Sequence, residues 1–253
     1  VTCFCATYGR PALLEEAIES FLRQDYEGEK ELVVMNDFAQ QLLCLKHPEV
    51  TVLNVPERIV PLGRKFNLCS AMGTGTVLIP WEDDDVYLPW GIRLRVERMR
   101  EGIFHTGQAW LERAPGVLVP TQNLFQCNLA VERRIFDQVG GYAETDMSAI
   151  DVDLYHRLGG RKITQEVRQE DAWYVYRWGT SGSYHGSGWG GQKDGISELA
   201  GQFVQRQVEM GRVPTGEIEL KPQWRRDYLA AYRRAVGDDK LTGQQKPEKG
   251  SAL

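Results

Sequence analysis

No apolar run in the 253 residues approaches the ~20 that a membrane-spanning helix needs, and no basic start, apolar core and small-residue cleavage site mark a signal peptide. The expected setting is therefore cytoplasmic. Cations are in short supply as well. A formal net charge of −5 leaves no excess positive charge to cover a phosphate backbone, which speaks against a nucleic-acid binder. Cysteines are few, odd in number and scattered, at Cys3, Cys5, Cys44, Cys69 and Cys127. They sit mostly in apolar or helical stretches and suit small core positions, not a disulfide framework. Cys3 and Cys5 would share one face of a strand, but two thiols alone do not make a zinc site. Length and a charged fraction of 26% leave an ordinary globular chain, large enough for one α/β domain or two small ones.

What is present in excess is acid in one place. An apolar strand-forming run, Val77, Leu78 and Ile79, followed after Pro80 by Trp81, leads into Glu82, Asp83, Asp84 and Asp85 before turning apolar again toward Pro89. Four adjacent acids repel one another, and acids set against a buried strand lose hydration, so positive charge must lie nearby. Lysine and arginine side chains are one source and a divalent metal is another. Oxygen ligands on a short loop suit Mg2+ or Mn2+, with the remaining positions left to water and substrate phosphates. A solvated acidic turn is the plain alternative.

The chain before this cluster reads as alternating strands and helices. A strand over 1–6 begins without a lead-in, as expected of a chain cut from a longer one. A turn at Thr7 to Pro11 follows, then a helix over 12–24 with Leu13, Leu14, Ala17, Ile18, Phe21 and Leu22 at helical spacing, and a buried strand over 31–37. This is a βαβ unit and implies a parallel sheet with a right-handed crossover. A third strand over 50–55 and a helix over 63–73 repeat the pattern. Three strands thus end in polar residues, at Thr7-Tyr8, at Asn36-Asp37 and at the acid cluster. Ligands bind outside the carboxyl ends of such strands, so these groups converge on one crevice.

Taken together, Ala6-Thr7-Tyr8-Gly9-Arg10, then Val33-Val34-Met35-Asn36-Asp37, then Gly63-Arg64-Lys65-Phe66-Asn67, then Asp83-Asp84-Asp85-Val86-Tyr87-Leu88-Pro89 resemble the nucleotide-binding half of a family 2 glycosyltransferase. The resemblance implies a GT-A fold, a Rossmann-like α/β class with a mostly parallel central sheet flanked by helices. It further implies inverting transfer of a sugar from a UDP- or GDP-sugar to a carbohydrate or other hydroxyl acceptor, with Mn2+ or Mg2+ on the diphosphate. By that resemblance Asp37 meets the base or ribose, Tyr8 stacks near the base, and Thr7 or Ala6 lines its pocket. Lys65 or Arg64 faces the diphosphate or the base, and Arg10 and Asn67 belong to the same donor site. Asp83 holds the ribose or donor sugar. Asp84 binds the metal, as in the DXD signature, with Asp85 as the alternative one residue on and Glu82 in place of the signature's first acid.

In the second half, a helix over 90–100 carries Arg93, Arg95, Arg98 and Arg100, expected as a solvated face paired with Glu97 and Glu101. Short apolar strands follow at 117–119 and 129–131, then a glycine-ended helix from Glu132. The segment from Ile150 to Leu158 resembles the family's catalytic-acid segment, which makes Asp151 the general base and Asp153 its alternative. Ile150 stands where relatives carry glutamate. An aromatic strand over 173–178 runs into a glycine-rich loop, expected to act as a lid. There the resemblance makes His185 a further metal ligand, while Trp178 and Trp189 are candidates to stack on a sugar or the base.

The expected organisation is a nucleotide-sugar half over 1–100, an acceptor half over 101–195, a helical extension over 196–236 and a disordered tail over 237–253. Within the extension, a linker at Pro214 to Gly216 precedes a basic helix over 224–235. That helix suits packing on the domain, a homo-oligomer contact or peripheral contact with an anionic membrane. Two other readings compete. One is a catalytically impaired nucleotide-sugar-binding module, for which Ile150 argues. The other is a nucleotidyltransferase, which needs a longer glycine-rich loop than Gly9-Arg10-Pro11 supplies.

Overall fold

The computed structural model describes residues 1–179, 184 and 195–237. In chain order the elements are β1 (Thr2–Thr7), α1 (Pro11–Leu22), β2 (Glu31–Asn36), β3 (Gln41–Cys44), β4 (Val50–Asn54), α2 (Leu62–Ala71), β5 (Val77–Pro80), β6 (Val86–Tyr87) and α3 (Gly91–Arg98). They continue with β7 (Ile103–Phe104), β8 (Gln108–Ala114), β9 (Val117–Gln122), β10 (Ala130–Glu132), α4 (Arg133–Gln138), α5 (Ile150–Arg157), β11 (Tyr174–Tyr176), α6 (Ile196–Glu209), β12 (Gly216–Glu219) and α7 (Tyr228–Ala235).

The central sheet runs β4-β2-β1-β5-β10-β7, parallel as far as β5 and antiparallel beyond it. Both faces of its parallel half are covered, and the side chains of β1 and β2 divide between them with period two. Cys3, Cys5, Leu32 and Val34 join one core with α1, α3, the second sheet and α7. Phe4, Ala6, Val33 and Met35 join the other with α2, α4 and α5. Cys3, Cys5, Cys69 and Cys127 are core residues, as expected, while Cys44 is half-buried. Burial pushes the Cys3 and Cys69 thiols up to about 12, so both stay protonated at neutral pH.

A second sheet, β6-β11-β8-β9, stands beside the first, and β3 pairs in parallel with β12. Four of these strands have no counterpart among the sequence expectations. β6 and β3 are short, β8 carries charge near its end, and β12 has a single apolar residue, Ile218, so local patterning is weak. Their pairing comes from partners distant in sequence. The extension is correspondingly not all helical, and α7 starts at Tyr228, where Asp227 caps it by accepting from the Ala230 N–H at 2.8 Å. Its Tyr228 and Ala231 are buried on the domain itself.

The arginines of α3 do not form one solvated face. Arg93 pairs with Asp25 and Glu97 and Arg98 with Asp171, but Arg95 is fully buried. Its Nε donates to the Gly91 carbonyl at 2.9 Å and its Nη1 to the Cys127 carbonyl at 2.6 Å. The rings of Trp173, Trp81 and Tyr87 lie within 6.0 Å of its guanidinium carbon. The side chain thus works as a polar core piece joining α3 to the turn before β10. Arg95→Ala would open a cavity and strand the Cys127 carbonyl, an expected loss of roughly 2–4 kcal/mol. Urea unfolding checks this, and an unchanged midpoint would contradict the structural role.

Candidate functional site

A cavity of about 420 Å³ opens at the carboxyl ends of β1 and β5 and is walled on its far side by β11, the segment 123–127 and the starts of α5 and α6. The volume suits a ligand of nucleotide-sugar size. Ala6, Thr7, Tyr8, Arg10 and Lys65 line it from the nucleotide half, Glu82, Asp84 and Asp85 from the acid cluster, and Asp151 from the acceptor half.

The acid cluster is held by cations and hydroxyls, each carboxylate differently. Asp83 is fully buried and takes Arg10 through Nε at 3.0 Å and through Nη2. Asp84 takes Arg10 Nη1 at 2.7 Å. Asp85 accepts the Arg177 backbone N–H at 2.8 Å and the Tyr174 hydroxyl, so two neighbours on β11 and just beyond it fix its orientation. Glu82 accepts from Gln126 Nε2, and Gln126 Oε1 in turn accepts the Tyr142 hydroxyl at 2.8 Å. Beneath them Trp81 and Tyr87 stack at 3.7 Å, and the Tyr87 oxygen accepts the Glu82 backbone N–H at 2.7 Å.

Burial, and then the neighbouring carboxylates, push Glu82 well above the usual range and Asp85 up to about 7. Burial also works against the charge on Arg10, but Asp83 and Asp84 outweigh it and hold the guanidinium ionised. Arg10 therefore does not compensate all four acids, and protons make up part of the difference. One oxygen each of Glu82, Asp83 and Asp84 lies within 4.8 Å of the others. Clustered carboxylates that hold protons for want of cations fit a hard divalent cation that can displace them. Because Asp83 is committed to Arg10 on both oxygens, Glu82 and Asp84 are the cavity-facing donors that would hold one. His185 and Trp189 lie outside the described residues, as does most of the expected lid; its Tyr184 lines the cavity and stacks on Arg10 at 4.5 Å.

At the nucleotide end the expected residues part ways. Lys65 lies in the cavity wall, its Nζ donating to the Thr7 carbonyl at 2.7 Å and to Asp37 at 2.6 Å, while burial lowers its pKa. Asp37 is 1% exposed and accepts on its second oxygen from the Ile59 N–H at 2.8 Å, with Arg58 at 3.6 Å. It is not among the cavity-lining residues. Arg64, one position before Lys65 on α2, is rotated away and exposed. The Asn67 side chain clamps the Tyr142 backbone, donating to its carbonyl at 2.9 Å and accepting its N–H at 2.8 Å. This clamp spends Asn67 on the packing of α2 against the turn after α4. Trp178 is 43% exposed, 6.0 Å from the Tyr176 ring, and outside the cavity wall.

At the acceptor end Asp151 sits in the first turn of α5 and burial pushes it up to about 6. Asp153, two residues on, faces solvent and pairs with Arg157, so it does not reach the cavity. Ile150 is 3% exposed and packs into the core shared with α2 and α4. Sequence reasoning missed Arg58, Gln126 and Tyr174. Gln126 and Tyr174 gain their roles only from non-local contacts. Arg58 carried a readable signal, as a cation between a strand end and the next helix on the crevice side.

No family model matches the chain, and no curated protein does. Among solved structures it is similar to residues 1–349 of TarS from S. aureus, with a TM-score of 0.52 and 13% identity over 70% of this chain and 60% of that one. A structure of the same TarS portion in complex with UDP-GlcNAc gives 0.52 and 12%, covering 82% and 72%. The mannosyltransferase PcManGT from Pyrobaculum calidifontis, in complex with GDP-Man and Mn2+, gives 0.53 and 15%, covering 96% and 76%. The chain thus spans about 60% of the first of these structures. The likeness carries the architecture, an α/β GT-A-like fold with a mostly parallel central sheet flanked by helices.

The raised carboxyls set a sign for cation binding. In the folded chain Asp85 keeps its proton up to about pH 7, whereas an unfolded aspartate loses it near its ordinary 3.8. Its contribution to stability therefore falls as pH rises through that window, and a cation held next to it, on Glu82 and Asp84, would offset that loss. Mn2+ is expected to raise the melting temperature more at pH 8 than at pH 6, and Asp84→Asn to abolish most of that rise. Differential scanning fluorimetry reads both. A shift independent of pH and of Asp84 would remove the metal from this corner.

Proposed function

We propose that the chain is a nucleotide-sugar-dependent hexosyltransferase of the family 2 type, which moves a sugar to an acceptor hydroxyl with inversion and uses Mn2+ or Mg2+. The observation that carries this reading is that the acid cluster and Asp151 line one cavity, from opposite halves of the chain. The fold supports it, and so do the neighbours' ligands, UDP-GlcNAc in TarS and GDP-Man with Mn2+ in the mannosyltransferase.

Asp151 acts as general base. Its pKa of about 6 leaves it ionised at neutral pH yet more basic than a solvated carboxylate, which suits proton removal from a hydroxyl. As the proton passes to Asp151, the acceptor oxygen forms its bond to the anomeric carbon. The bond from that carbon to the diphosphate oxygen breaks on the opposite face, and the configuration inverts. A divalent cation held by Glu82 and Asp84 would supply compensation for the charge gathering on the leaving diphosphate. Arg10 fixes Asp83 and Asp84, and Gln126 fixes Glu82, so the donors need little reorganisation. Lys65 ties the end of β1 to Asp37 and shapes the floor beneath the donor. Tyr8 and Thr7 complete the nucleotide wall.

Asp151→Asn is expected to lower kcat by about 10²–10⁴ while leaving nucleotide affinity within twofold, and Asp153→Asn to leave turnover near wild type. The wild-type rate should fall about tenfold per unit below pH 6, because protonated Asp151 cannot accept. Release of nucleoside diphosphate from donor sugars with Mn2+ measures all three. Nucleotide binding with no release under any condition would instead favour the impaired binding module, to which buried Ile150 lends its support.

A further inference from the structure

We propose that His105 is a positioning residue for the general base, fixing α5 through Thr164 and Tyr155 and closing off the rear of Asp151. This rests on the role given to Asp151 above. His105 follows β7 and is a buried titratable group outside the large cavity. A second cavity, of about 10 Å³, lies behind Asp151 and is lined by His105, Gln126, Asp151 and Tyr155 with leucines around them. It has room for about one water molecule. Asp151, Gln126 and Leu124 line both cavities and so form the partition between them.

A short polar chain supports this partition. His105 Nδ1 lies 3.1 Å from the Thr164 hydroxyl oxygen, which in turn lies 2.8 Å from the Tyr155 hydroxyl. The rings of His105 and Tyr155 meet at 4.9 Å. Tyr155 stands one helical turn after Asp151 on α5, so both share a face of the helix. Because a helix turns about 100° per residue, a small rotation of α5 would swing the Asp151 carboxylate off the acceptor. Apolar side chains could fill the same space in several arrangements, whereas these hydrogen bonds admit one. Burial outweighs the pull of the Phe125 backbone and pushes the imidazole down to about 4, so the ring is neutral at working pH.

The closed rear also accounts for the basicity of Asp151. Burial raises it against hydrogen bonds from its own N–H and that of Val152. The titratable groups that face it are His105 and Tyr155 across the small cavity, Tyr142, and Lys65 and the acid cluster across the large one, and none outweighs burial. Opening the rear to water would therefore lower its pKa. The fold does not hang on the imidazole alone. His105 bridges Thr164 through the backbone, and the Gln165 N–H donates to the His105 carbonyl at 2.8 Å, a link that survives loss of the side chain.

Carbon-13 NMR of aspartate-labelled protein, without metal or donor and with Asp151→Asn to assign the signal, follows this carboxyl through pH. In wild type it should titrate near 6. His105→Ala and Thr164→Val should each bring it down by at least about half a unit, while His105→Gln and Thr164→Ser, which keep the hydrogen bonds, should hold it. In nucleoside diphosphate release the first two should lower kcat by about 10–100-fold, leave the donor KM within about threefold, and carry the acid limb down with the carboxyl. Their double variant should be no slower than the worse single one. Melting curves confirm folding. A wild-type carboxyl at its ordinary 3.8 overturns the proposal, and so does one that stays near 6 in both folded variants. Parallel losses of kcat and nucleotide affinity also overturn it, as a general loosening. If wild type releases no nucleoside diphosphate, the transferase reading falls, and the tie between His105 and Asp151 is judged by the titration alone.

Discussion

The guanidinium of Arg10 against Asp83 and Asp84 is the contact on which the rest of this molecule turns. Four consecutive acids leave the buried end of β5, and without a cation inside the sheet edge they could not all remain there. Arg10 is available because β1 and β5 are neighbours and because it stands at the turn between β1 and α1. The same turn brings Gly9 against α6: at φ +69° it has no Cβ, and one built there would lie 2.5 Å from Val204. Only glycine keeps both the left-handed turn and this close approach. One short loop thus sets the acid cluster and seats a helix whose Ala200 lines the cavity.

A second buried cation extends the support outward. Arg177 donates to the Asp84 carbonyl at 2.6 Å, pairs with Glu16 on α1, and meets the Tyr228 hydroxyl at 3.3 Å. Glu16 also accepts the Arg225 N–H at 3.0 Å, and Arg226 pairs with the fully buried Glu112 at 3.2 Å. A chain of charge-assisted bonds therefore runs from the acid loop through α1 and β11 to the segment before α7. Such bonds are strong when every member has its partner, and breaking any one of them exposes a buried charge. The C-terminal segment braces the acid loop from behind although none of its described residues after α6 lines the cavity.

How much of this could be read from the chain depended on whether a feature announces itself locally. The parallel half was legible, since apolar runs of four to six residues ending in Thr7, Asn36 and Pro80 carry their own signal. The acid cluster was legible for the same reason, as unusual groups at a strand end, whereas Asp151 was named only through the family resemblance of its segment. Arg95 was not. An arginine in a helical run of arginines looks solvated, and only the three surrounding rings and the Cys127 carbonyl, brought from far along the chain, make a buried place for it. Asp153 and Asn67 misled in the opposite direction. Each has a residue type suited to the site, but helix geometry turns Asp153 to solvent, and the backbone of Tyr142 claims Asn67. Arg58 escaped although its place between a strand end and the next helix could be read; its contacts with Asp37 and Tyr8 could not.

The pairing of β3 with β12 has a consequence for how the chain is made. Gln41 to Cys44 emerge early from a ribosome, but their partner strand, Gly216 to Glu219, follows more than 170 residues later. At about 5–20 residues per second this leaves the β3 edge open for roughly 10–30 s. During that interval another nascent copy could pair with it. The exposed Leu42 makes the open edge adhesive, and the charges of Glu217 and Glu219 on the arriving strand make the correct closure more soluble than a mispaired one.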